Sequence, residues 1–75
     1  MSENAHHQEY FLRFGRHLKA LRTSKNLSHR KLAAKCNVEF ADIVRYEKGE
    51  INLTMKTLIE LSIGLDIPLK ELMDF

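Results

Sequence analysis

The stretch LSHRKLAAKCNVEFADIVRYEKG, residues 27–49, holds the pattern on which the fold turns. Ser28 brings the hydroxyl of a helix N-cap, with Leu27 turned inward ahead of it. Leu32, Ala33 and Cys36 then recur at helical spacing, so a short helix is expected over residues 28–36. Asn37 is a candidate left-handed residue, because a short polar side chain tolerates positive φ. A second short helix follows at once over residues 39–47. Its geometry turns Ile43, Tyr46 and Glu47 inward, sets Ala41, Val44, Arg45 and Lys48 on the opposite side, and leaves Phe40 at the exposed tip. Gly49 ends it.

Working outward, Phe11, Phe14, Leu18 and Leu21 recur at spacings of three and four, which predicts one buried stripe on a first helix over residues 9–24. Asn26 closes that helix in the left-handed conformation. Residues 1–8 are expected to form a flexible N-terminal segment and residues 9–75 a single domain. Beyond Gly49, EINL reads as an irregular connection. Thr54 caps a fourth helix with apolar Met55, Leu58, Ile59, Leu61, Ile63 and Leu65. Asp66 and Pro68 break it, and Pro68 suits the first turn of a final helix carrying Leu69, Leu72 and Met73, with Phe75 trailing. Five helices and no strand place the chain in the all-α class.

With 75 residues, one small core is the expectation. A hydrophobic content of 44% with 29% charged residues describes a globule, not a disordered or fibrous chain. The single cysteine, Cys36, excludes an internal disulfide and a multi-cysteine zinc site. On an inward helical face it reads as a small hydrophobe. No apolar run approaches membrane-spanning length, and the first residues lack the basic and apolar regions of a secretion signal, so a cytoplasmic location is expected. The net charge is only +2, but residues 1–48 carry ten Lys/Arg against five Asp/Glu, whereas residues 49–75 carry two against five. The halves therefore stand at +5 and −3. Such asymmetry suits a basic part facing a polyanion and an acidic part, Glu60 included, facing away or into protein.

Residues 14–73 resemble the Cro/phage-repressor-type helix-turn-helix family, also called XRE-like. Three segments carry the resemblance: FGRHLKALRTSKNLSHRKLAAKCNV (14–38), IVRYEKGEIN (43–52) and TLIELSIGLDIPLKELM (57–73). It implies a compact five-helix, lambda-repressor-like DNA-binding domain with the helix-turn-helix at helices 2 and 3. Helix 2 then crosses the duplex backbone, helix 3 lies in the major groove, and helices 4 and 5 complete the core. Leu32, Ala33, Val38, Ile43 and Leu58 fall on core positions. Arg22 and Glu47 match positions often filled by a paired arginine and glutamate, which implies a partly buried structural ion pair. His29 matches the place of a phosphate-gripping glutamine, a task open to a neutral or a charged imidazole, with Arg30 and Lys31 beside it.

The chain departs from its relatives at the start of helix 3. Glu39, Phe40, Ala41 and Asp42 stand where many members carry serine, glutamine or arginine. On this reading Phe40, Ala41 and Val44 pack on thymine methyls, Arg45 forks onto a guanine edge, and Asp42 accepts from cytosine N4. Glu39 and Lys48 bracket the same face. Fewer base hydrogen bonds leave more to phosphate contacts and DNA shape.

The expected function is thus sequence-selective binding of double-stranded DNA by a repressor-like transcriptional regulator. One small module buries limited DNA surface, so a homodimer on a roughly palindromic site is expected, with Leu69, Met73 and Phe75 as candidate seam. The alternative is an antitoxin-like or other protein-interaction module on the same fold, using Phe40 and Val44 as protein contacts. His6 and His7 lie in a polar terminus and are not read as a metal site. No nucleophile–base–acid constellation stands out, so no enzyme activity, cofactor or small-molecule ligand is expected.

Overall fold

The computed structural model describes residues 2–50 and 52–75, with side chains from residue 6 onward; Met1 and Ile51, which fall in the expected flexible segment and irregular connection, lie outside the described residues. Its helices are α1 (Ser2–Ser24), α2 (His29–Ala34), α3 (Phe40–Glu47), α4 (Met55–Leu65) and α5 (Leu69–Leu72). Among the described residues there is no strand.

α1 begins at Ser2, seven residues ahead of the start expected at residue 9. Nothing between Ser2 and Gly15 breaks a helix, since that run has neither glycine nor proline. The apolar stripe marked where α1 becomes buried, not where it starts: His6 to Tyr10 are exposed, while Phe14 and Leu18 are buried. Asn26 ends the helix at φ 58°, and the Leu27 N–H donates back to the Arg22 carbonyl over 3.1 Å. That six-to-one bond satisfies a terminal carbonyl and turns Leu27 inward against the core.

α2 is capped as its sequence predicts, by the Ser28 hydroxyl accepting from the Lys31 N–H at 3.1 Å. It stops at Ala34, two residues short of the expectation. Asn37 is not left-handed; among the described residues only Asn26, Asp66 and Gly49 have positive φ. Its N–H instead donates to Glu60 Oε1 of α4 at 3.0 Å, so a side chain from a distant helix holds the turn in place of a local backbone device.

The core joins Phe14 and Leu18 of α1, Leu32 of α2, Ile43 and Tyr46 of α3, Leu61 and Leu65 of α4 and Leu72 of α5. Each fully buried leucine is worth about 1.5–3 kcal/mol of transfer free energy. α1 lies directly on the end of α3 at Gly15, where a Cβ would sit 2.6 Å from the carbonyl oxygens of both Tyr46 and Glu47. Only glycine permits that approach. Gly49, at φ 71°, then reverses the chain after α3.

The apolar residues of α4 divide between two faces. Leu61 and Leu65 are buried and Leu58 packs beside them, whereas Met55, Ile59 and Ile63 are 63%, 43% and 59% exposed. Thr54 caps this helix through the Thr57 N–H at 3.2 Å, and Asp66 ends it at φ 57°. α5 is a single turn fastened to α1 by the ring nitrogen Nε2 of His17 on the Glu71 carbonyl at 2.9 Å. Phe75 sets its ring edge to Phe14 at 5.7 Å. No described helix is long and apolar enough to cross a membrane.

Candidate nucleic-acid interface

Helices α1, α2 and α3 meet at one carboxylate. Arg22 Nε donates to Glu47 Oε2 at 2.6 Å and a terminal guanidinium nitrogen to Oε1 at 3.1 Å. The other terminal nitrogen reaches the Leu27 carbonyl at 2.7 Å. The two side chains are only 8% and 7% exposed. The pair expected from sequence therefore forms in the forked, two-bond geometry that suits arginine and carboxylate. Its extra bond to Leu27 also fixes the α1–α2 connection. No described buried side-chain nitrogen or oxygen lacks a partner, the condition on which a buried ion pair is tolerable.

His29 completes this cluster instead of standing free. Its Nε2 lies 3.0 Å from Glu47 Oε1, and the side chain is 32% exposed. Its ring also faces Phe40, with centroids 6.4 Å apart and planes at 67°. Arg30 lies over the same aromatic ring, its Cζ 4.4 Å from the centroid. Phe40 is therefore not the bare tip that helical geometry alone suggests. It is 37% exposed and serves as the plate on which two side chains of α2 rest. Stacking leaves the in-plane N–H groups of a guanidinium available, so Arg30 can hold Phe40 and still donate to an anion.

The outward side of α3 follows the sequence reading. Ala41, Arg45 and Lys48 are exposed and Val44 is half-buried, opposite the buried Ile43 and Tyr46. Glu39 is exposed at the N-cap position but its side chain makes no capping bond, and Asp42 is half-buried in the first turn. Arg45 Nε stands 4.0 Å from Glu50 Oε1, with both side chains about half exposed. Such a contact contributes little and leaves Arg45 free to swing. Lys31 projects from α2 into solvent.

Sequence reasoning missed two groups that hold this surface: Glu60, which accepts from the turn, and the Leu27 carbonyl, which anchors Arg22. A bond spanning 23 residues leaves no local periodicity by which Glu60 could have been found. Cys36 behaves as the small hydrophobe expected of it. Its thiol donates to the Leu32 carbonyl at 3.3 Å, and burial pushes its pKa up, with a lowering contribution from the Val38 backbone and a smaller raising one from Glu60. A thiol so placed is a poor nucleophile. Among the described residues no three His, Cys, Asp or Glu side chains are grouped to hold a metal.

A short helix capped by Ser28, a turn, and a second helix whose outer side bears cations, all welded to α1 by a buried arginine–glutamate pair, define a helix-turn-helix protein that binds double-stranded DNA. The chain belongs to the Cro/phage-repressor-type helix-turn-helix family, whose sequence model matches residues 18–72. It is 34% identical over 65 residues to the control protein C.BamHI of Bacillus amyloliquefaciens, an alignment covering 85% of this chain and 80% of that protein. It is also similar to the crystal structure of the restriction-modification controller protein C.AhdI from Aeromonas hydrophila. There the TM-score is 0.80 at 32% identity, covering 83% of this chain and 94% of the other.

Proposed function

We propose that this chain is a cytoplasmic, homodimeric transcriptional regulator that occupies an operator beside the genes of a restriction-modification system, with no catalytic role. The observation that carries the operator-binding part is the assembled α2–α3 surface, on which Arg30, Lys31, Arg45 and Lys48 are exposed on a scaffold braced by Glu47. The restriction-modification setting rests on the likeness to the two controller proteins.

The homodimer rests on α4. Met55, Ile59 and Ile63, each one helical turn apart, leave a continuous apolar stripe in water, and a second copy would cover it. Met73, 43% exposed, remains available to such a seam, but Leu69 is packed against the core and Phe75 against Phe14. The seam is therefore assigned mainly to α4, not to the last turn. Two modules on one axis then read half-sites about one helical turn of DNA apart. The protein-partner alternative relied on Phe40 and Val44 as free apolar contacts; with Phe40 engaged by Arg30 and His29, no observation favours it.

Selection of bound duplexes from a random pool tests this reading. The wild-type chain is expected to return an inverted repeat, and Arg45→Ala to lose preference at one base pair of each half-site with about 1–3 kcal/mol of affinity. Ile59→Asp is expected to sediment as a monomer and to lose affinity for the full repeat. A wild-type chain that selects no sequence, or an Ile59→Asp variant that remains dimeric, would refute the corresponding part.

A further inference from the structure

Phe11 and Phe14 of α1, Leu58 of α4 and Leu53 just ahead of it enclose a small cavity of about 130 Å³. The more exposed Tyr10, Met73 and Phe75 complete its lining and form its rim. Every lining side chain is apolar or aromatic, and the Tyr10 hydroxyl is the one polar group among them. The segment after α5 that closes this cavity is fastened twice to α1. The His17 ring meets the Glu71 carbonyl at 2.9 Å, and Phe75 sets its edge to Phe14 at 5.7 Å. No stretch of the sequence announces the site, because its walls come from positions between 10 and 75 and meet only in the packed fold.

Water is a poor occupant of such a space. A buried water needs about two to four polar partners, and these walls provide almost none. A dry apolar cavity of about 150 Å³ accepts benzene, so a single six-membered ring is the right size to fill this one. Four of the lining residues are aromatic, and rings pack well on one another edge-to-face or offset. The mouth adds a charge. Arg13 lies beside it, with Cζ 5.2 Å from the ring centroid of Tyr10 and 5.9 Å from that of Phe75. A guanidinium stacked on ring faces keeps its in-plane N–H groups free to donate. Arg13 takes part in none of the ion pairs among the described residues, although Glu9 and Asp74 are exposed near it along α1 and the chain end.

We infer that this cavity binds a small aromatic carboxylate, its ring held among Phe11, Phe14 and Leu58 and its carboxylate on Arg13. The site is built by α1, α4 and the segment after α5, and it needs nothing from the reading of α2 and α3 as the DNA-facing surface. Filling the apolar space supplies most of the affinity, and the arginine supplies the choice of an anion. For a ligand of benzoate's size, the dissociation constant is expected at about 1 mM or below. The rim-exposed contact with Arg13 is worth roughly fivefold. Because only the folded chain has the cavity, occupancy raises Tm.

The test is a methyl NMR titration of the full chain with benzoate, its neutral near-isostere benzyl alcohol, and acetate. Benzoate is expected to shift the methyls of Leu53, Leu58 and Met73 to saturation, benzyl alcohol to do so about fivefold more weakly, and acetate not at all. Arg13→Gln, a change at an exposed position, is expected to bind benzoate and benzyl alcohol alike. Leu53→Trp, which fills the cavity, is expected to lose both, and thermal unfolding identifies whether it remains folded. Benzoate should raise the Tm of the wild type and leave that of folded Leu53→Trp unchanged. No saturable shift in the wild type overturns the site, whatever the variants do. Equal binding of benzoate and benzyl alcohol, or an Arg13→Gln variant that still prefers benzoate, overturns the assignment of the anion to Arg13. Binding by monomeric Ile59→Asp but not by the wild-type chain overturns the ligand, by showing that a second copy already fills the cavity.

Discussion

Truncating Arg22 tests the joint that positions the recognition helix. Arg22→Ala removes three hydrogen bonds at once, two to Glu47 and one to the Leu27 carbonyl. It strands a carboxylate whose side chain is 7% exposed, with only His29 left to it. Losing one partner of a buried pair costs about 3–5 kcal/mol, because the survivor keeps its desolvation penalty without its compensation. Both side chains are so little exposed that solvent screening offers small relief. A domain of this size is stable by only about 5–10 kcal/mol, so the loss is a large share of the total. At roughly 6 °C per kcal/mol, it corresponds to a fall in Tm of about 20 °C or more. Glu47→Ala should cost about as much, since it leaves Arg22 with Leu27 alone and His29 with no acceptor. The double variant removes both charges and should therefore cost well under the sum, with a coupling of about 2 kcal/mol or more. The assay is urea denaturation of all four proteins at low temperature. Where a single variant is too unstable, Glu47→Gln is the milder probe. Additivity within about 0.5 kcal/mol would show that the two side chains do not depend on each other and would refute the joint.

Gly15→Ala should destabilise the fold by about 1–2 kcal/mol net, although alanine at a helix-interior site ordinarily gains about 0.8–1 kcal/mol, because its Cβ would meet rigid backbone at 2.6 Å. Thermal unfolding that shows stabilisation would refute the close approach of α1 to α3. Glu60→Ala should cost about 1 kcal/mol and weaken DNA binding by loosening the α2–α3 turn, against the expectation from charge alone that this residue faces away and matters little. Slower hydrogen exchange at the Asn37 amide in the variant would be the wrong sign. Cys36 should react slowly with alkylating reagents at pH 8 in the folded protein and at an ordinary thiol rate in urea, since burial raises its pKa. Fast labelling of the native chain would contradict its packing.

The parts legible in the sequence are those governed by neighbours along the chain. Caps at Ser28 and Thr54, the left-handed stop at Asn26 and the glycine after α3 depend on residues within one turn, so their side-chain chemistry announces them. Core positions of α1, α2 and α3 followed from a period of 3.6, because burial on one side of a helix repeats at that period. The Arg22–Glu47 pair was legible through family resemblance, and no local pattern would have joined two residues 25 positions apart.

Tertiary structure decided what each side chain does once the helices are packed. Periodicity could say that Phe40 lies at the start of α3 but not that Arg30 would stack on it, since that contact depends on the angle between α2 and α3. It could list the apolar residues of α4 but not divide them. Leu61 and Leu65 are core and Met55, Ile59 and Ile63 are surface only because α2 and α5 cover one side of that helix and leave the other open. His29 could be read from sequence as a phosphate ligand in either protonation state. Its bond to Glu47, a residue 18 positions away, ties the ring into the cluster that joins α1, α2 and α3. Local propensity acts through the nearest few residues, whereas a hydrogen bond across helices exists only after the core has set their distance and tilt.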